Sequence, residues 1–103
     1  MNKGIMMNYT INHKKNDKFF IENGSSKDFP FLKYHEKEDR ILDLVETYVP
    51  ENMRGEGIAA QLVKHALEYA KENGYRVAPT CPYVNSYLKK HNEYSHLAID
   101  LEQ

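Results

Sequence analysis

Apolar and aromatic residues in the first half of the chain come in short runs separated by polar turns. Tyr9–His13 and Phe19–Ile21 flank the polar turn Lys14–Lys18, and Phe31–His35 and Arg40–Val49 flank the charged turn Glu36–Asp39. Aromatic and β-branched runs spaced in this way predict an antiparallel meander. Pro50 cannot donate to a ladder and closes the fourth strand. From Gly57 the period changes. Ile58, Ala59, Leu62, Val63, Ala66, Leu67 and Ala70 recur at helical spacing, while Gln61, Lys64, Glu68, Lys71 and Glu72 take the opposite face. Asn73-Gly74 is a natural left-handed stop. Tyr75–Pro79 then reads as a short strand, and Pro82 as the first position of a second helix carrying Val84, Tyr87 and Leu88 inward. A helix joins the strands before and after it, so the two should lie parallel through a right-handed crossover. The expected class is α/β (α+β): a β-meander followed by a helix, a parallel strand and a second helix.

Composition narrows this picture. The 103 residues suit one domain, residues 1–103, with no boundary, repeat or low-complexity stretch inside it. With 14 basic against 15 acidic side chains, the chain lacks the excess cation of a non-specific nucleic-acid binder. No apolar run approaches the length of a membrane span, and Met1–Met7 is too short for a signal peptide. A single cysteine rules out an intramolecular disulfide and fits a reducing compartment. The expectation is a cytoplasmic protein, monomeric or weakly dimeric, with neither nucleic acid nor membrane as partner.

The candidate chemistry starts at Val49-Pro50-Glu51-Asn52-Met53-Arg54-Gly55-Glu56-Gly57-Ile58-Ala59-Ala60, which puts two glycines between a strand and an amphipathic helix. Glycines allow positive φ and close approach of a ligand, and the first helical N–H groups are unpaired donors. With the helix dipole they make an anion site suited to a pyrophosphate, although a bare Gly-x-Gly can equally be a tight turn. The spacing fits neither a Walker loop nor a dinucleotide fingerprint.

Arg54-Gly55-Glu56-Gly57-Ile58-Ala59 resembles the Arg/Gln-x-x-Gly-x-Gly/Ala motif of the GNAT N-acetyltransferases, and Leu62, Val63, Ala66 and Leu67 fit the helix that follows it there. More narrowly, Thr47-Tyr48-Val49-Pro50, Val77–Val84 with its Pro-Thr-Cys-Pro, and Lys90-His91-Asn92-Glu93-Tyr94 are similar to a small GNAT-like family of about this length. The resemblance runs from Leu42 to Leu97. It implies a minimal GNAT-like fold that binds acetyl-CoA, or coenzyme A, and passes the acetyl group to an amine of a small molecule or peptide. It also implies that the amides of Arg54, Gly55, Glu56, Gly57, Ile58, Ala59 and Ala60 hold the pyrophosphate, with Arg54 adding a cation. A strand-end N–H near Tyr48 or Val49 would polarise the thioester carbonyl, and Asn85 and Lys90 would meet the pantetheine or phosphates. The chain departs from the family in having Glu46 where a histidine is common. It is also too short for the helical pair and terminal strands that normally shape an acceptor pocket, which keeps a non-catalytic coenzyme A-binding module as the alternative.

Two side chains are the catalytic candidates. Cys81 precedes Pro82 at a helix start, where the dipole favours a nucleophilic thiolate; the alternative is a small buried thiol. Glu46, near the end of the fourth strand, could take the proton of an ammonium acceptor or be a plain surface charge. A phenol from Tyr83, Tyr87 or Tyr94 could protonate the leaving thiolate. Lys89 reads as a solvated helix end. His13, His35, His65 and His96 form no cluster with zinc spacing, so no metal is expected.

Overall fold

The computed structural model describes residues 9–99, and the stretch Met1–Met7 lies outside them. Asn16, with φ of 64°, takes the left-handed backbone that an asparagine tolerates, and the chain reverses there between β1 (Asn12–Lys14) and β2 (Lys18–Phe20). β3 (Phe31–Lys37) and β4 (Ile41–Tyr48) form a second hairpin, followed by a 3₁₀ turn at Glu51–Met53, α1 (Ile58–Glu72), β5 (Arg76–Ala78), α2 (Pro82–Lys90) and a 3₁₀ segment at Asn92–Leu97. The five strands lie in sequence order, antiparallel up to β4 and parallel between β4 and β5. This is the α/β meander–helix–strand–helix arrangement that the periodicity predicts.

Boundaries differ in physically interpretable ways. Glu36 and Lys37, read above as turn residues, are the end of β3, facing Leu42 and Ile41. Glu36 accepts a hydrogen bond from the Tyr75 phenol at 2.9 Å and Lys37 reaches Asp43 at 3.4 Å, so the reversal moves to Glu38–Arg40. Arg40 pays for its left-handed φ of 56° with its side chain, which bonds the Asn73 and Gly74 carbonyls at the end of α1 and covers the Tyr75 ring at 4.2 Å. A cation there also complements the helix dipole. Neither 3₁₀ segment was visible in the pattern.

One side of the sheet carries Phe19, Leu32, Tyr34, Leu42, Leu44 and Val77, all buried with Ile58, Leu62, Val63, Ala66, Leu67 and Ala70 of α1. Val84 and Leu88 of α2 complete the same core. The opposite helix face, Lys64, Lys71 and Glu72, is exposed as its polarity requires.

The N-terminal hairpin is held to α1 by a ring cluster. His13 stacks on Phe19 at 4.2 Å and meets the edge of Tyr69 at 4.6 Å. Its Nε2 lies 2.6 Å from the Tyr34 hydroxyl, which accepts the Asn16 N–H at 2.9 Å and so has its own hydrogen to donate to the imidazole. Burial, with His65 and Lys15 nearby, lowers the His13 pKa and so favours the neutral ring as the acceptor of that hydroxyl. Below the unfolded-state pKa of about 6.5 the unfolded chain binds the proton that the folded chain refuses. The stability contributed by neutral His13 is therefore fully present above that pH and lost progressively below it. Urea midpoints should fall between pH 8 and pH 5 more for the parent than for His13→Gln.

Candidate functional site

The site arises where the sheet comes apart. β4 pairs with β5 only from Ile41–Asp43 to Arg76–Ala78, and the Cys81 N–H then donates to the Leu44 carbonyl at 2.8 Å as the chain turns into α2. On the other side of β4, Lys33 faces Glu46 while Tyr34 faces Leu44, so Val45 is an extra residue, a bulge that bends the strand. The end of β4 is thus left without a ladder partner on the β5 side. A cavity of about 410 Å³ opens there, lined by Thr47, Tyr48, Val49, Met53, Arg54, Gly55, Gly57, Ile58, Ala59, Ala60 and Tyr83.

Its wall toward α1 is a backbone cradle. Gly55 and Gly57 have φ of 85° and 80°, values that disfavour any side chain, and Gly57 is the N-cap of α1. The first intrahelical bond is Gln61 N–H to the Gly57 carbonyl at 3.1 Å, so the preceding N–H groups of the first turn have no helical partner. Gly57 has no side chain to cap them, and no acidic residue lies in that turn. A Cβ built on Gly55 would meet nothing within 4 Å. Arg54 is exposed and its Nε donates to the Val49 carbonyl at 2.8 Å, which ties the cation to the end of β4. Glu56 is exposed and does not line the cavity; its carboxylate accepts the Tyr9 phenol at 2.6 Å, a bond that raises the Tyr9 pKa.

The other predicted site residues are distributed unevenly. Tyr48 and Val49 line the cavity, and the Tyr48 phenol donates to Asp28 at 2.7 Å, a bond that, with burial, raises its pKa. Cys81 is the N-cap of α2, but it is buried and is not among the lining residues; its Sγ lies 3.4 Å from the Thr47 hydroxyl, which does line the cavity. Glu46 is exposed on the sheet and makes no hydrogen bond or ion pair among the described residues. Asn85 lies on the other side of α2 from Tyr83. With Thr80, Pro82 and Ser86 it lines a second cavity, and its buried Nδ2 has no hydrogen-bond partner among the described residues. Lys90 is exposed at the end of α2 remote from Cys81, roughly 13 Å along the helix axis.

Geometry also separates the three tyrosines. The Tyr94 phenol is committed to Glu68 of α1, and burial, together with that bond, raises its pKa. Tyr87 stacks on His91 at 3.9 Å. Only Tyr83 of the three lines the cavity, with a pKa raised by burial and by the neighbouring Cys81. Thr47 and Met53 were not singled out from the sequence; Thr47 sits inside the Thr-Tyr-Val-Pro segment that already pointed to the strand end.

Residues 18–97 match the family model for GCN5-related N-acetyl-transferase. The chain belongs to this family. It is similar to Protein NATD1 of Gallus gallus, 35% identical over 77 residues, which cover 75% of this chain and 70% of that protein. It is also similar to Protein NATD1 of Homo sapiens, 34% identical over 77 residues, or 75% of this chain and 68% of the relative. The solution structure of a GCN5-like protein from Staphylococcus aureus shares the fold, with a TM-score of 0.73 over 95% of each chain at 24% identity. In this family the strand-end cavity and the glycine turn described above fall within the matched residues. The described residues hold no group of His, Cys, Asp and Glu able to bind a metal, and no described helix is long and apolar enough to cross a membrane.

Proposed function

We propose that this protein binds acetyl-CoA in the cavity between the end of β4 and the start of α1 and passes the acetyl group to an amine. The observation that carries this reading is the uncapped N-terminus of α1, with both glycines at positive φ, opening into that cavity. Unpaired amides and the helix dipole suit a pyrophosphate, and Arg54 supplies a cation at the rim. When bound, acetyl-CoA supplies an activated thioester carbonyl.

The remaining chemistry falls to this chain. Tyr48 and Val49 wall the cavity at the strand end, where a backbone N–H can polarise the carbonyl. The amine nitrogen forms the new bond to the carbonyl carbon and the carbon–sulfur bond breaks. Glu46 takes the proton released by the amine, directly or through water, and Tyr83 returns one to the departing thiolate. Cys81, turned inward against Thr47, positions the β4–α2 junction in this direct route. The free thiol suits a reducing, cytoplasmic setting, and the chain acts as a monomer or weak dimer.

Calorimetric titration with coenzyme A and acetyl-CoA, followed by thiol-release assays with a panel of amines, tests the reading. Saturable binding and amine-dependent release support it. Absence of binding overturns it, and binding without release on any amine replaces it with a coenzyme A-binding module acting as sensor or protein partner.

A further inference from the structure

The face of the sheet opposite the buried one carries a second aromatic cluster. Phe19 and Leu32 point into the core, so the register partners Phe20, Phe31 and Tyr48 share a rung on the other face. Phe29, from the loop before β3, bridges them: its ring lies 5.7 Å from Phe20 and 6.3 Å from Phe31, and Phe31 lies 5.5 Å from Tyr48. All four are half-buried and none belongs to the main core. The run ends at Tyr48, which is also a wall of the cavity.

The next rung along the same face is charged: Lys18, Lys33 and Glu46 in register. Lys18 is engaged by Asp17 at 3.4 Å and lies over the Phe20 ring at 5.9 Å, which leaves the faces of Phe29, Phe31 and Tyr48, while Lys33 is exposed opposite Glu46. The Glu46 carboxylate makes no hydrogen bond or ion pair among the described residues, although Lys33 faces it across the strands. Around Tyr48 lie Asp28, bonded to its phenol, Glu51 and Arg54.

We infer that this aromatic rung is the acceptor surface, and that the acceptor is an amine on a flat apolar or aromatic body whose ammonium meets Glu46. The inference rests on the acetyl-transfer reading and adds a substrate class to it. Rings present their faces to a flat body, and a cation is attracted both to those faces and to an unpaired carboxylate. Continuity through Tyr48 brings the surface to the mouth of the cavity.

The test uses the full chain saturated with coenzyme A and 2-phenylethylamine as probe, with methylamine and glucosamine for comparison. Expected are side-chain NMR shifts concentrated at Phe20, Phe29, Phe31, Tyr48 and Glu46, and a KM for 2-phenylethylamine raised at least about tenfold in Phe31→Thr, with the KM for methylamine raised much less. Phe20→Thr provides a second variant should Phe31→Thr fold poorly. Glucosamine preferred over 2-phenylethylamine, or an unchanged KM in both folded variants, overturns the inference. So does a sedimentation dimer that these substitutions dissociate, since the face would then be an interface between copies. Shifts on the rung without turnover leave the surface standing and remove the transferase reading, whereas loss of coenzyme A binding alone removes only that reading.

Discussion

Gly57→Asp is expected to weaken coenzyme A binding at least about tenfold, ~1.4 kcal/mol, in calorimetry on folded protein. The substitution places a carboxylate at the N-cap of α1, beside the first-turn amides, where its charge opposes an incoming pyrophosphate. The backbone must still adopt φ of 80° there. Gly57→Asn is the matched control, because asparagine pays a similar left-handed cost without the charge. Binding should therefore fall in the order parent, Asn, Asp, and the Asp effect should shrink in high salt for its electrostatic part. Equal affinities for parent and both variants would remove the phosphate assignment of residues 54–60.

Tyr83→Phe is expected to lower kcat about 100-fold while leaving coenzyme A affinity nearly unchanged. Its raised pKa keeps the phenol protonated at neutral pH, the form a proton donor needs, and it alone of the three candidate tyrosines reaches the cavity. Glu46→Gln should lower kcat by about tenfold, since water can replace a surface carboxylate as the proton acceptor. Cys81→Ala should retain most of the parent's turnover, because the thiol is buried against Thr47. The opposite pattern is equally readable. Acetylated protein seen by intact mass in the parent but not in Cys81→Ala, with turnover lost, would establish a two-step route through the thiol and falsify direct attack.

The legible parts of the site are those encoded by local sequence. Gly55 and Gly57 mark a left-handed turn wherever they occur between a strand and a helix, and the spacing from Ile58 to Ala70 places the amides of the first turn at its end. The Val49-Pro50 strand stop and Pro82 at a helix start are equally local, because proline's missing N–H and restricted φ act within its own neighbourhood. The family resemblance added to these residues an expected ligand, which glycines by themselves do not specify.

Orientation was much less legible. Cys81 and Tyr83 are two residues apart, yet one is sealed against Thr47 and the other lines the cavity, because α2 turns them to different sides as it leaves β5. Asn85 carries an amide suited to a ligand, but the same rotation sends it into a different cavity from Tyr83. The free carboxylate of Glu46 and the aromatic rung beside it depend on the extra residue Val45, since a one-residue shift in pairing changes which side chains share a face.

The order of elements, the helix's buried stripe and the glycine turn follow from the sequence itself, because propensity, periodicity and left-handed φ act over a few neighbouring residues. The cavity, the inward thiol, the choice among three tyrosines and the aromatic face were decided only by tertiary structure. Each depends on where β4 and β5 part and on how strands distant in sequence come into register, and those long-range packing relations have no local signature.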